Sequence, residues 1–282
     1  MVDLKQIQRQ LVTANHILHY NGVVDAYGHI SVRHPLDNST YLMSANMAPA
    51  LVSNAADLVQ YRIEDSQPVD PNAPKGFIER YIHGEMYKAY PEVYSVIHSH
   101  SPEVLPYAVA GVPLRAVYHM AGFLGSEPVP LYDLEDSYNQ TESRDLLIRS
   151  PKLGADLAKT FVTSENRTAD PPATSPDYNA VLMRKHGFTT FGANIQEAVV
   201  RAVYTQANAK VQTTAAMIRG AFEALTEPEA QAWSGGVNTT AFEPLTAQEA
   251  IDTEPAIGAT SDRPWGLWLR EVEVQPLYRN NI

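Results

Sequence analysis

The hydrophobic positions follow two different spacings along the chain, and together they predict helices interleaved with strands. Apolar residues recur every three or four positions across residues 3–21, in the segment FIERYIHGEMYKAY and from Asn194 to Phe222, which is helical spacing. Shorter runs alternate with a period of two, or are continuously apolar between turn residues, which is typical of strands. These runs are GHISVRH, YLMSA, ADLVQYRIED, VYSVIHSH and NAVLMRKHGFTTFG.

Weaker patterns complete the prediction. A helix is expected from about Pro102 to Ala110, a strand in LRAVYHM, and a helix in SPKLGADLAKTFV with Ser150 as its N-cap. Residues 163–178 are rich in Pro, Ser, Thr and Asp, which predicts an exposed insert, and a C-terminal extension rich in turn residues begins at about residue 226. No repeat or linker divides the chain, so we expect a single layered α/β domain over residues 1–282.

The segment VYSVIHSHSP contains the first candidate for chemistry. On a strand, residues i and i+2 point to the same face, so His98 and His100 project side by side while Ser99 faces away. Two imidazoles held this close can bind a metal ion, but a pair of hydrogen-bonded histidines has the same pattern.

Two further residues would complete such a site. Glu79 begins the helix before the histidine strand, and a helix packed antiparallel on that strand brings Glu79 close to both imidazoles. His186 lies in a turn between two strands, followed by Gly187, where the backbone can approach another group closely. Each residue also has an ordinary explanation, since Glu79 can favour the helix dipole and His186 can cap a turn.

Composition narrows the chemistry. A net charge of −11 without a basic cluster argues against a nucleic-acid partner. The chain has no cysteine, so a metal would be held by His, Asp or Glu, which suits zinc, manganese or iron(II). The first residues lack an apolar signal core and no run approaches membrane-spanning length, so we expect a cytoplasmic protein without membrane contact.

Three segments resemble the class II aldolase/adducin family: GHISVR, IERYIHGEMYKAYPEVYSVIHSHSP and LMRKHGFTTFG. The resemblance covers about residues 5–220. It implies a three-layer α/β/α sandwich around a mostly antiparallel sheet, and a homotetramer with active sites at subunit interfaces. It also implies one divalent metal ion per chain on His98, His100 and His186, with Glu79 in place of the family glutamate that binds the metal and can act as a base.

The chain departs from the sugar-phosphate aldolases of that family where they bind phosphate. The segment MSANMAPA lacks their Thr-Gly turn, and Phe77-Ile78 replaces their Ser-Ser pair with an apolar wall. A flat or aromatic small-molecule substrate is therefore expected. The expected pocket residues are Phe77, Met43, Met47 and Phe123, and the expected substrate contacts are His29, Ser44, Phe77, Arg80 and Tyr118.

The family tyrosine that donates a proton corresponds to His119 here, with Tyr118 one residue earlier. A histidine can donate a proton near neutral pH, although His119 can equally be structural. Arg33, Arg80 and Arg115 could hold a second carboxylate of the substrate, or could be ordinary structural arginines.

The branch of the family that the chain resembles decides the expected reaction. The segments above, with VPLRAVYHMAGFLG and DRPWGLW, resemble metal-dependent decarboxylases of hydroxylated aromatic or pyridine dicarboxylates and an iron-dependent oxygenase of aminocoumarin biosynthesis. The resemblance implies a metal-dependent carbon–carbon lyase, foremost a decarboxylase of a hydroxylated aromatic or heteroaromatic acid. A retro-aldol lyase on an unphosphorylated hydroxy-ketoacid, an iron(II) oxygenase and an inactive adducin-like interaction module are the alternatives.

Overall fold

The computed structural model describes residues 3–169, 173–225, 229 and 243–282, and it contains one seven-stranded sheet. The order across the sheet is β3-β2-β1-β4-β7-β6-β5. All neighbouring strands are antiparallel except β5 and β6, which are parallel. The strands are β1 (His29–Arg33), β2 (Thr40–Ser44), β3 (Leu58–Arg62), β4 (Ser95–Ser99), β5 (Leu131–Tyr132), β6 (Ala180–Met183) and β7 (Gly187–Gly192).

Helices cover both faces of this sheet, which confirms the predicted three-layer α/β/α arrangement. Three helices share one hydrophobic core with the first face: α1 (Leu4–Tyr20), α5 (Ile195–Glu223) and α7 (Asp262–Glu273). Two helices, α2 (Arg80–Ala89) and α3 (Pro151–Lys159), pack on the second face. Among the described residues, the remaining α-helices are α4 (Ser164–Arg167) and α6 (Ala247–Gly258).

The alternation of β4 connects this architecture to the candidate site. Ile97 lies in the core with α1 and α5, whereas Val96 lies in the core with α2 and α3. His98 therefore points to the α2 side of the sheet, where Glu79 precedes the helix. The predicted N-cap of α3 is also confirmed, because Ser150 Oγ accepts a hydrogen bond from the Leu153 amide.

Two predicted elements differ in the structure. The expected helix from Pro102 to Ala110 is only a 3₁₀ turn over Leu105–Ala108, because Pro106 cannot donate in a helix interior and its ring clashes with the preceding turn.

The segment LRAVYHM, expected as a strand, pairs with no strand of the described residues. Its backbone is instead held by side chains of α5: Asn208 accepts from the Val117 amide and Gln212 from the Arg115 amide. A 3₁₀ helix, His119–Leu124, follows.

The predicted insert and extension are described in part. Within 163–178, the carboxylate of Asp177 stabilises α4 by accepting hydrogen bonds from the Thr163 amide and the Asn166 side chain. Residues 170–172 lie outside the described residues. The predicted start of the extension at about 226 also lies outside them. Further on, Trp265 and Trp268 are buried in the core with α1 and α5. Within the described residues, none of the helices is both long and apolar enough to cross a membrane.

Candidate metal centre and active site

The fold brings Glu79, His98, His100 and His186 together from three separate parts of the chain. Glu79 directly precedes α2, His98 lies in β4, His100 follows that strand, and His186 lies in the turn between β6 and β7. His100 Nε2 is 3.0 Å from His98 Nε2 and 3.1 Å from His186 Nε2. Glu79 Oε2 is 3.6 Å from His98 Nε2 and 3.5 Å from His186 Nε2.

These four side chains fit a divalent metal ion. One ligand atom from each lies within 4.8 Å of the others. Metal–nitrogen bonds of about 2.0–2.1 Å in a tetrahedron place ligand atoms about 3.3 Å apart, close to the spacings found here. Imidazole nitrogens with one carboxylate oxygen are a donor set suited to zinc, manganese or iron(II).

The carboxylate of Glu79 is oriented by a loop that is distant in sequence. Its Oε1 accepts a hydrogen bond of 3.0 Å from the buried amide of Ile148. Because Oε1 is engaged, Oε2 is the oxygen that faces the imidazoles. The Ile148 amide therefore holds the Glu79 carboxylate so that Oε2 remains available to bind a metal ion.

Gly187 lets the turn that carries His186 approach the histidine strand. A Cβ atom at this position would lie 2.0 Å from the carbonyl oxygen of Ser99 and 3.2 Å from the Cα atom of His100. Any side chain would push the two segments apart, so the predicted close approach is an approach of backbone to backbone.

Two imidazoles of the cluster, those of His98 and His100, favour the neutral form that binds metal. Burial lowers the pKa of His98 well below its usual value, and the neighbouring imidazoles of His186 and His100 lower it further. The pKa of His100 is also lowered, first by burial and then by His186, while the carboxylates of Glu79 and Asp25 act in the opposite direction. A ring that stays neutral keeps a lone pair free for a cation.

The outer nitrogens of the three rings have different surroundings. His98 Nδ1 lies 3.4 Å from Thr189 Oγ1, and His100 Nδ1 lies 3.8 Å from a carboxylate oxygen of Asp25. His186 Nδ1 is buried and has no hydrogen-bond partner among the described residues. Thr189 thus contacts the outer nitrogen of His98, whereas His186 is positioned by its turn.

A cavity of about 520 Å³ opens onto the cluster, within the usual range for a small-molecule site. Of the residues expected to contact substrate, His29 and Phe77 line this cavity. Glu79, His100 and His186 also line it. The other lining residues are Tyr27, Asn46, Lys75, Ile78, Asp145, Leu146, Leu147 and Lys185.

Several predicted site residues lie elsewhere. Ser44 is fully buried, and its hydroxyl has no partner in the described part of the chain. Arg80 donates to the carbonyls of Ser66 and Phe77 and stacks on Tyr81, so it is engaged within the fold.

Tyr118 and His119 lie next to each other at the start of a 3₁₀ helix, and neither lines this cavity. His119 is exposed, whereas Tyr118 is partly buried against the first core.

The apolar pocket predicted from sequence is also different. Met43 is buried inside the second core and Met47 packs against that core, while Phe123 lines a separate cavity beside α6. Only Phe77 of the four expected residues lines the cavity at the cluster. The other apolar residues that line this cavity are Ile78, Leu146 and Leu147. Leu146 and Leu147 belong to a loop that folds over the cluster, and the Leu146 amide in this loop donates to the Tyr138 hydroxyl.

The arginines considered for a second carboxylate are occupied by backbone oxygens. Arg33 donates to the carbonyls of Val93 and Tyr87, and Arg115 donates to the carbonyl of Ser126.

The cations that do line the cavity are Lys75 and Lys185, and neither forms an ion pair within the described residues. Lys185 adopts a φ of 59°, which is rare for a residue other than glycine.

A second group of side chains, which we call the buried chain, was not predicted: His29, His83, Ser31 and Tyr87. His29 Nδ1 lies 2.7 Å from His83 Nε2, His83 Nδ1 lies 2.7 Å from Ser31 Oγ, and Ser31 Oγ lies 2.7 Å from the Tyr87 hydroxyl. A sequence signal existed, since His29 and Ser31 share one face of β1 and His83 and Tyr87 share one face of α2. Nothing in the spacing showed that the two faces would meet.

The family follows from comparison with known proteins. A model described as the class II aldolase and adducin N-terminal domain matches residues 9–213. The chain therefore belongs to the class II aldolase and adducin family.

Curated relatives in this family include decarboxylases. The chain is 44% identical over 272 residues to "Decarboxylase tropJ" of Talaromyces stipitatus, covering 96% of each protein. It is 23% identical over 213 residues to "3,4-dihydroxyphthalate decarboxylase" of Arthrobacter keyseri, covering 73% of this chain and 78% of the relative. These relatives support assignment of the chain as a lyase.

Solved structures agree on the fold. L-fuculose 1-phosphate aldolase from Glaciozyma antarctica superimposes with a TM-score of 0.64 at 18% identity, covering 98% of this chain and 93% of that chain. An aldolase II superfamily protein from Pseudomonas syringae superimposes with a TM-score of 0.67 at 17% identity, covering 99% and 96%. At these identities the likeness concerns the fold alone.

Proposed function

We propose that this member of the class II aldolase and adducin family is a metal-dependent decarboxylase of a hydroxylated aromatic or heteroaromatic carboxylic acid. The observation that carries the proposal is the convergence of three imidazole nitrogens and one carboxylate oxygen at the base of a cavity with apolar walls. The decarboxylase names of two relatives support the reaction class.

The four cluster residues would hold the metal, with zinc or manganese as the expected ions and iron(II) as a further candidate. When bound, such an ion supplies a Lewis acid that stabilises negative charge developing on an oxygen of the substrate as the bond to CO₂ breaks. The protein contributes three imidazoles, of which burial keeps His98 and His100 neutral, and a carboxylate held in place by the Ile148 amide.

The cavity suits a flat acid. Phe77, Ile78 and Leu146 provide apolar surface against which an aromatic ring can pack. The ammonium groups of Lys75 and Lys185 offer positive charge to a carboxylate, in a protein whose net charge of −11 otherwise repels acids. This combination explains how a lyase of this fold could act without the phosphate-binding residues that it lacks.

A proton must reach the carbon that loses CO₂, and two residues are candidates. Glu79 already lies at the cavity, so it can deliver a proton directly if its carboxyl group is protonated during the reaction. His119 is exposed and outside the cavity of its own chain. Its role as proton donor therefore requires a neighbouring subunit, and we propose a cytoplasmic homotetramer in which His119 of one subunit approaches the cavity of the next.

The direct test combines metal analysis with CO₂ release. Protein purified without an affinity tag, in air and under anaerobic conditions, should retain about one zinc or manganese ion per chain. It should release CO₂ from ortho-hydroxylated benzoic, phthalic or pyridine carboxylic acids. Matched acids that lack the hydroxyl group should not react, because they have no phenolic oxygen onto which the negative charge left by departing CO₂ can be delocalised.

The other outcomes separate the alternatives. Iron(II) retained only without air, together with O₂ consumption, would replace the decarboxylase by an oxygenase. Cleavage of a hydroxy-ketoacid without CO₂ release would identify a retro-aldol lyase. Absence of metal in both preparations would contradict the proposal and favour an interaction module.

A further inference from the structure

The hydrogen bonds of the buried chain run in one direction. That direction can be deduced from the number of hydrogens that each group carries. A neutral imidazole carries one N–H group and one acceptor nitrogen, and the hydrogen bonds of the ring decide which nitrogen is which. His29 Nδ1 and His83 Nε2 are 2.7 Å apart, a spacing that holds one hydrogen, so one ring donates and the other accepts. Burial lowers the pKa of His83 to about 3, so this ring is neutral and has a single hydrogen to place.

Tyr87 sets the direction of the chain. Its hydroxyl is fully buried, and the side-chain atom that it contacts is Ser31 Oγ. The Val96 backbone also contacts Tyr87 and His83. Its contact with Tyr87 acts against the rise in the pKa that burial causes, as an amide donating to the phenol oxygen does, so it offers the hydroxyl hydrogen no acceptor. A buried hydroxyl hydrogen without an acceptor costs about 1–3 kcal/mol, so Tyr87 donates to Ser31.

The remaining hydrogens follow in sequence. Ser31 Oγ accepts from Tyr87 and so directs its own hydrogen to His83 Nδ1. With Nδ1 acting as acceptor, the hydrogen of His83 is on Nε2 and is donated to His29 Nδ1. The single hydrogen of His29 then resides on Nε2. The opposite order would leave the Tyr87 hydrogen without a partner.

The Nε2 atom of His29 is the end of the chain that reaches the cavity. His29 lines the cavity beside Phe77, with ring centroids 4.7 Å apart, and is next to His98, with centroids 5.2 Å apart. Within the described part of the chain, Nε2 has no hydrogen-bond partner in another residue, and the His29 side chain is 1% exposed. Because His29 lines the cavity, Nε2 is the nitrogen left for a molecule bound there.

We propose that His83 is a positioning residue that holds His29 as the Nε2–H tautomer, so that His29 presents a fixed hydrogen-bond donor to a negatively charged oxygen of the substrate. The donor lies beside the metal-ligand cluster, where negative charge develops in the reaction proposed above. A preorganised donor in a dry site stabilises such charge without reorganisation during the reaction. The role in catalysis depends on the proposed function, whereas the tautomer does not.

The tautomer can be measured directly. Solid-state ¹⁵N spectra of histidine-labelled protein distinguish a protonated from an unprotonated ring nitrogen, and the His29→Asn variant identifies the His29 signals. In zinc-loaded wild-type protein, His29 should be protonated at Nε2 and unprotonated at Nδ1. Protonation at Nδ1 would overturn the proposal without any variant being made.

Three variants test the role of each link. His83→Leu removes the donor to His29 and should give a mixture of tautomers. In His83→Gln the amide can still donate to His29 and accept from Ser31, so the Nε2–H form should return. Tyr87→Phe removes the hydrogen that sets the direction, so Ser31 can either donate to His83 or accept from it, and a mixture of His29 tautomers is expected. An unchanged His29 tautomer in His83→Leu would contradict the proposal.

Kinetics provide a second readout. His83→Leu should lower kcat by about 10- to 100-fold while KM and metal content stay near wild type, by analogy with residues that orient metal ligands. His83→Gln should recover much of that loss, which a purely structural role would not predict. If wild-type protein released no CO₂, the proposed function would fail, but the spectra would still decide the tautomer.

Discussion

Two groups of histidines lie side by side in this protein, and they differ in how their nitrogen atoms are satisfied. In the metal-ligand cluster, four ligand atoms face one point. In the buried chain, spacings of 2.7 Å connect four side chains in a line. The two groups touch, since His29 pairs with His98 across β1 and β4.

The difference shows why the cluster fits a metal ion and the buried chain does not. In a line, each hydrogen between neighbouring members has one acceptor, so the protein alone satisfies these contacts and leaves only His29 Nε2 without a partner in the described residues. At a point, neutral imidazole lone pairs and a carboxylate oxygen converge, and hydrogens cannot satisfy all of them simultaneously. A divalent cation removes this repulsion, and its binding energy adds to the stability of the fold.

The largest effect is expected from breaking the cluster. His98→Ala removes a fully buried ligand, and it should abolish metal retention and lower CO₂ release by more than about 100-fold, since even residues that orient ligands contribute 10- to 100-fold. Elemental analysis and the decarboxylase assay measure both effects. A His98→Ala protein with full activity would refute the metal assignment.

The second effect concerns the close approach that holds the cluster together. In Gly187→Ala, the new Cβ would lie 2.0 Å from the Ser99 carbonyl oxygen. The turn carrying His186 must move, which should cost about 1–3 kcal/mol of unfolding free energy and weaken metal binding. Urea denaturation and metal titration test this prediction.

Gly220→Ala is the matched control, because a Cβ at that helical position has no neighbour within 4 Å. It should stabilise the protein by up to about 1 kcal/mol without changing metal affinity. Equal metal affinity in wild type and Gly187→Ala would show that the turn tolerates displacement.

The third effect is a pH dependence that belongs to the buried chain. The pKa of His83 is about 3 in the folded state, against a usual value of 6.5. Between these values the unfolded state binds a proton that the folded state excludes, so stability falls as pH decreases from about 6.5 to about 3. One such group contributes a slope of about 1.4 kcal/mol per pH unit.

His83→Gln removes this titrating group and should reduce the slope by up to that amount. Urea denaturation at pH 4, 5 and 6 measures the slope for both proteins. The comparison uses the slopes and not the absolute stabilities, since the substitution also changes hydrogen bonding. Identical slopes would mean that His83 is already protonated in the folded protein.

The smallest effect is expected at the rim of the cavity. Lys185 is exposed and lines the cavity beside His186, and exposed charge pairs contribute about 0.2–1 kcal/mol. Lys185→Met should therefore raise KM for an aromatic acid by up to about fivefold, with metal content unchanged.

Lys210→Met, in α5 and outside the cavity, is the matched control and should leave KM unchanged. Equal KM values for wild type and Lys185→Met would remove this lysine from substrate binding.

The sequence predicted the cluster because its geometry is largely local. The i, i+2 spacing of His98 and His100 on a strand determines that their side chains share a face, and the resemblance to a family supplied Glu79 and His186. The same local reasoning predicted α1, α3 and the central strands. It was wrong for LRAVYHM, because Asn208 and Gln212 of a distant helix bind the backbone of that segment in place of a neighbouring strand.

The sequence by itself determined the layered fold, the family and the candidate metal ligands. Only the tertiary structure decided the walls of the cavity, the engagement of Arg80 with backbone carbonyls, and the contact of His83 with His29. The physical reason is the separation along the sequence of the residues that interact. Side chains on one strand or helix are placed by the period of that element, whereas the meeting of β1 with α2, or of the Ile148 loop with Glu79, depends on how the whole core packs.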